Sequence, residues 1–306
     1  MWRTLIVTSG EKMTVRDGWL HVYSPQQEAR VPISDLYSVV VDNRQTLLSM
    51  GVLTQLAQAG VHVLLCDEKH LPCAELLPLS QHYRPLTVLQ KQMDLSQSFK
   101  DLLWQRIITA KIQNQAKTLR LVGANRSKAQ KLEELALTVS AGDRGNREAQ
   151  AAKLYFPALF GAGFTRTMGD VTNDALNYGY AIIRSAVSKT LAGYGYSGVL
   201  GLHHIGPGNP FNLADDLMEP LRPLVDLWVD DHCDDLYEEL TRTNRRELIG
   251  LVNHIIRLDG KKMRVRYAID RYIKSLTSAI EGKDAGLLLL PELIRNDPAF
   301  EDEQDG

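Results

Sequence analysis

Carboxylates and imidazoles gather most densely between Gly201 and Asp226, in the stretch GLHHIGPGNPFNLADDLMEPLRPLVD. His203 and His204 lead into a loop with Gly206, Pro207, Gly208 and Pro210, and Asn212 stands where a helix cap is expected. Asp215, Asp216 and Glu219 follow within little more than a turn, so Glu219 shares a helix face with both aspartates. Like charges at these spacings destabilise an isolated helix, and a divalent cation would relieve the repulsion. Pro220 and Pro223 each lack an N–H and free the carbonyl four residues back, which predicts a kink or a helix that starts late. Oxygen and imidazole donors with no thiolate nearby suit Mg²⁺ or Mn²⁺ better than zinc. The same residues are compatible with a polar helix face and a capping histidine. His203 is less distinctive than His204 and fits a packing role. His21, His62, His70, His82, His232 and His254 are scattered and read as surface or core residues.

Glu148 opens the run Glu148-Ala149-Gln150-Ala151-Ala152-Lys153-Leu154-Tyr155-Phe156. Its alanines would let another backbone approach and bring Glu148 beside the later cluster, but spacing alone favours a first-turn acid that complements the helix dipole. Tyr178 and Tyr180 read either as groups near a phosphate, with Tyr178 the near-site candidate, or as amphipathic core, which is favoured. Arg44, in Asn43-Arg44-Gln45-Thr46, is equally open. No Walker loop, dinucleotide fingerprint, nucleophile elbow or Cys-x-x-Cys pair occurs, so nucleotide hydrolysis and Ser- or Cys-based catalysis lack support.

The elements that must position these groups differ between the two ends of the chain. Leu5–Val7 and Trp19–Tyr23 read as strands flanking an Asp17-Gly18 hairpin signal, followed by short β-branched runs at 31–33 and 36–41. Residues 47–59 read as a helix ended by Gly60, and 61–66 as a buried strand. Beyond Pro78 the pattern is helical, over about 89–121, 127–139, 147–160, 172–192, 213–229, 232–240, 244–258 and 261–279. Strands first and helices afterwards predict an α+β fold, a small β-rich N-terminal domain followed by a larger all-helical catalytic domain. The expected boundaries are 1–80, a linker at 81–88, 89–295, and an acidic disordered tail at 296–306.

Charge is segmented although the net value is only −2. Residues 84–195 carry sixteen Lys and Arg against eight acids, 196–256 eleven acids against four bases, and 257–283 eight bases against three acids. Basic surfaces around an acidic pocket suit a polyanion and a cation, although solvated helix faces explain the charges equally well. With 44% hydrophobic and 24% charged residues the composition is globular, and no apolar run approaches a membrane span. Cys66, Cys73 and Cys233 lack zinc-like spacing and fit a reducing compartment, so a soluble cytoplasmic protein is expected.

Five blocks, Asn43–Thr46, Gly60–Asp67, the Glu148 helix through Phe156, Asn173–Tyr180 and Gly201–Arg222, resemble in order and spacing the CRISPR adaptation integrase family, most closely its type II members. The resemblance implies a metal triad of Glu148, His204 and Glu219, with Asp216 supporting the ligands or binding through water. It implies Mg²⁺ or Mn²⁺ as cofactor and double-stranded DNA as substrate. It also implies a homodimer formed through the β domains, and two such dimers bracketing a dimer of a second, smaller adaptation protein. The implied reaction is attack of a DNA 3′-hydroxyl on a phosphodiester at the edge of a CRISPR repeat, with hydrolysis when water takes its place. Arg126, Lys128 and Lys131, and Lys261, Lys262, Arg264 and Arg266, are the candidates for DNA phosphates, with affinity falling as salt rises. A structure-selective repair nuclease and a non-catalytic DNA-binding scaffold are the competing readings.

Overall fold

The computed structural model describes residues 3–9, 12–24, 28–78 and 82–295. The acidic tail expected at 296–306 lies outside them, as does part of the expected linker. Strands β1 (Arg3–Val7), β2 (Lys12–Arg16), β3 (Trp19–Tyr23), β4 (Glu28–Pro32), β5 (Leu36–Val41), β6 (Leu47–Leu48), β7 (His62–Cys66) and β8 (Pro72–Leu76), with helix α1 (Met50–Gln58), build the N-terminal part. They form two four-stranded sheets, ordered β1-β5-β7-β8 and β4-β3-β2-β6.

The Asp17-Gly18 turn is present, with φ of 52° and 77°. Its hairpin joins β3 to β2, through Arg16 opposite Trp19, and the expected partner β1 instead runs parallel to β5. In β2 only Met13 and Val15 alternate between charged ends, too weak a period to read as a strand. Leu47 and Leu48 pair with β2, so the helix starts later than expected, capped by Ser49 and ended by Gly60 at φ 69°.

Strands β5 and β7 are covered on both faces. Val39, Val41 and Val63 pack with Val52 and Leu56 of α1 in one apolar cluster, while Val40, Leu64 and Cys66 belong to the core of the helical part. Strand alternation sends successive side chains to opposite faces, and burial on both gives the continuous Val-Val-Val run.

Helices α2 (Pro85–Met93), α3 (Gln97–Leu121), α4 (Arg126–Ala136), α5 (Arg147–Leu159), α6 (Val171–Gly193), α7 (Asn212–Met218), α8 (Arg222–Asp231), α9 (Arg242–Gly250) and α10 (Val265–Gly282) follow. Helix α3 packs against α4, α5, α8 and the one-turn helix Glu219–Leu221. The expected break at the two prolines is there: α7 ends at Met218 and α8 begins at Arg222. Four helix expectations change, one of them 261–279, where the helix starts at Val265 because Lys261–Arg264 is a strand. The 89–121 helix is interrupted at 94–96, where Ser96 caps α3, and 232–240 contains only the turn Cys233–Asp235. The expected 244–258 helix ends by Gly250; Ile255–Leu258 (β9) and Lys261–Arg264 (β10) pair across Asp259-Gly260, a second Asp-Gly turn. Among the described residues no helix is long and apolar enough to cross a membrane.

Candidate active site

Asp216 is fully buried on α7 and organises the preceding loop. The N–H groups of Leu202, His203 and His204 donate to its carboxylate at 2.5, 3.0 and 3.1 Å, and His204 Nδ1 lies 2.6 Å from Oδ1. The loop reaches this position because residue 201 is glycine: a Cβ there would meet the His204 carbonyl oxygen at 2.2 Å and Asp216 Oδ2 at 2.8 Å. His203 packs face to face on buried Trp104, centroids 4.2 Å apart, and Trp104 meets the His204 ring edge-on. Asn212 is not the cap: it begins α7, and its amide ties Gly206 and Val199 together.

Glu148 enters from α5. The preceding loop turns sharply, with Gly142, Asp143 and Asn146 all at positive φ, and Asp143 accepts from the N–H groups of Arg147 and Glu148 at 2.8 and 3.0 Å. The cap places the Glu148 carboxylate against α3, where Lys111 Nζ lies 2.6 Å from Oε1. The same ammonium contacts Glu219 Oε2, and Arg222 Nε donates to Glu219 Oε1 at 2.7 Å. Glu148 and Glu219 therefore converge on one lysine. Burial would raise the Glu219 pKa, but the charges of Lys111 and Arg222 outweigh it and hold it down at about 2. Burial would likewise lower the Lys111 pKa, and Glu219 and Glu148 raise it instead.

The three acids do not form the repelling cluster that their spacing suggests. Asp216 is compensated by backbone N–H groups and His204, Glu219 by Lys111 and Arg222, and Asp215 by Asn209 at 2.7 Å and Arg184 at 3.9 Å. A further carboxylate lies behind them. Asp226 accepts from the hydroxyls of Tyr155, at 2.9 Å, and Tyr180, and burial pushes its pKa up to about 6. The Tyr180 ring carries the guanidinium groups of Arg222 and Arg166, 4.6 and 5.3 Å from its centroid.

Tyr180 thus supports the site, and Tyr178 does not touch this network. Tyr178 is fully buried among core residues, its hydroxyl within electrostatic reach of Cys66, Asp42 and Arg245. Two residues apart on a helix point about 200° away from each other, so one tyrosine faces the site and the other the sheet. Arg126 and Lys131 are exposed and Lys128 half-buried on α4, Lys261 and Lys262 are exposed on β10, and Arg264 is half-buried. Arg266 is buried, bonded to Asn253 and stacked on Tyr267, which makes it a structural arginine. Arg44 is exposed, 4.0 Å from Glu68.

Sequence reasoning passed over Lys111, Trp104 and Asp226. Lys111 had a signal: it falls on the stripe of Ile107, Ile108 and Ile112, and a lysine on a buried face needs a partner.

The donors fit a hard divalent cation in kind. Glu219 Oε2 is buried with Lys111 as its partner, and the hydrogen bond of the His204 ring is made through Nδ1, which leaves Nε2 as the donor atom. Yet among the described residues no three His, Cys, Asp or Glu side chains stand close enough to hold a metal together. The positive charge that Glu148 and Glu219 require comes here from Lys111.

The Asp216 hydrogen bond raises the His204 pKa, outweighing partial burial. That pairing stabilises the fold fully below the unfolded-state value near 6.5 and loses its contribution as pH rises through the raised one. The melting-temperature gap between wild type and His204→Ala should accordingly narrow from pH 5.5 to 8.5; a gap that widens would contradict the pairing.

The sequence profile for CRISPR associated protein Cas1 matches residues 4–234. The chain is 41% identical over 299 residues to a CRISPR-associated endonuclease Cas1 from Neisseria meningitidis serogroup C, covering 96% of this chain and 97% of that one. Its fold is similar to a casposase bound to integration product, with a TM-score of 0.76 at 18% identity and 98% of each chain covered. It is also similar to a chain of a Cas6-RT-Cas1–Cas2 complex, with a TM-score of 0.73 at 16% identity, covering 96% of this chain and 36% of that one.

Proposed function

The chain belongs to the CRISPR associated protein Cas1 family, and from that premise we propose that it is a metal-dependent DNA endonuclease and integrase that inserts captured fragments into a CRISPR array as new spacers. The observation that carries the reading is the meeting of Glu148 and Glu219 at one cationic centre, within electrostatic reach of a histidine whose Nδ1 is held by Asp216. Residues 1–80 serve as the dimerisation domain, 81–88 as linker and 89–295 as the catalytic domain. The similar Cas1–Cas2 complex supports a smaller adaptation partner.

Glu148, Glu219 and His204 Nε2 are the donors for Mg²⁺ or Mn²⁺, which would polarise the phosphoryl oxygen and stabilise its developing charge. Asp216 acts through His204: by holding Nδ1–H it directs Nε2 outward and makes it a better donor. Arg222, fixed by Glu219 and stacked on Tyr180, places a permanent positive charge beside the attacked phosphate. The fragment's 3′-oxygen forms a bond to phosphorus as the repeat-strand 3′-oxygen leaves with a proton. Water in place of the hydroxyl gives cleavage.

The test is strand transfer of a labelled duplex into a repeat-containing plasmid with Mg²⁺ or Mn²⁺, with and without the small partner. Joined product that requires metal is expected. Cleavage alone, even with the partner, favours a repair nuclease, and no metal-dependent product leaves a DNA-binding scaffold.

A further inference from the structure

We propose that Lys111 is the site's resident counter-cation: its ammonium joins Glu148 to Glu219 until a divalent cation displaces it, so metal loading is an exchange of cations. The proposal rests on Glu148 and Glu219 being metal ligands.

Among the described residues, the Lys111 ammonium pairs with Glu148 and Glu219 and with no other carboxylate. Its side chain, 12% exposed, rises from the apolar stripe of α3, where Ile107, Ile108 and Ile112 are fully buried. A buried ammonium persists only if paired, and its partners are these two carboxylates. Arg222 serves Oε1 of Glu219, and Oε2 is held by Lys111. Without a cation between them, two ionised carboxylates sharing a site repel each other. A divalent ion offers twice the charge and can bind both acids directly, whereas the lysine is a single charge on a flexible four-carbon stem that can withdraw. A purely structural ion pair makes the opposite prediction for metal binding: losing the lysine would disorder the carboxylates and weaken it.

Mn²⁺ binding to the full-length protein, followed by electron paramagnetic resonance and by the Mn²⁺-induced rise in melting temperature, separates the two. Lys111→Met should bind Mn²⁺ about tenfold more tightly than wild type, the scale of one close charge contact at a partly exposed site. Its metal-free melting temperature should fall and its Mn²⁺-induced rise should grow. Lys111→Arg, which keeps the charge and can grip carboxylates bidentately, should bind Mn²⁺ more weakly than wild type. Equal affinities, or weaker binding by Lys111→Met, would overturn the proposal. If Lys111→Met does not fold, Lys111→Arg decides alone: weaker binding supports the exchange, while unchanged or tighter binding overturns it. Glu148→Gln is the control for the premise. Mn²⁺ binding that survives it unchanged removes the ligand assignment and the exchange with it. A control that loses Mn²⁺ while the lysine variants match wild type removes the exchange alone.

Discussion

Glu148→Gln should abolish strand transfer, by about a thousandfold or more, and shift the melting temperature only slightly. A thousandfold is about 4 kcal/mol of transition-state stabilisation, a reasonable loss for a ligand that places charge at a reacting phosphate. The fold should tolerate the change because Glu148 is 29% exposed and makes one ion pair, to a lysine that keeps Glu219. Glutamine keeps the shape and still offers Lys111 an oxygen. Glu219 provides the contrast. It is 4% exposed, and removing it strips a carboxylate from both Lys111 and Arg222, so Glu219→Ala should lose about 3–5 kcal/mol of stability as well as activity. Joined product from plasmid assays, read beside thermal melts, distinguishes the two variants. Retention of even a tenth of wild-type strand transfer by folded Glu148→Gln would remove it from the catalytic set.

Asp216→Ala should damage the fold around the site as severely as Glu219→Ala. Three backbone N–H groups and an imidazole lose their acceptor at once, in a place that water does not reach. A buried charge network broken on one side costs about 3–5 kcal/mol, which for a chain of this size lowers the melting temperature by roughly 10 °C. Asp216→Asn should recover little of this, because an amide has one acceptor oxygen where four donors converge. His204 would lose its orientation in both variants, so activity should fall even at temperatures where the protein remains folded. A melting temperature within about 2 °C of wild type would refute the organising role given to this carboxylate.

How far the chain could be read from its letters depends on whether the signal was local. Asp17-Gly18 is followed at once by the alternating Trp19–Tyr23 run, so the turn and its second strand were legible, while the first strand, Lys12–Arg16, was not. Asp259-Gly260 is the same turn, but its strands are four residues each, and β10 runs directly into α10, so helical spacing masked it. The proline break after Met218 was legible because a missing N–H acts within one turn. Glu148 was not legible from spacing, which favoured a dipole role; the structure gives it a capped first turn and also the tertiary partner on α3. Only resemblance to a family had set it beside Glu219. The repulsion inferred for Asp215, Asp216 and Glu219 failed for the same reason, since each acid is neutralised by residues distant in sequence or by backbone that sequence does not display.

The sheet β1-β5-β7-β8 has a thermodynamic consequence. Val39, Val41 and Val63 complete one core while Val40, Leu64 and Cys66 complete the other, on the same two strands. Neither core can melt without baring half of a wall that the other still needs. The two parts of the chain therefore share a single unfolding free energy. Nucleic acid gripped by the helices would stiffen the strands, and whatever pairs at the strand end would tighten the helices, because linkage runs equally in both directions.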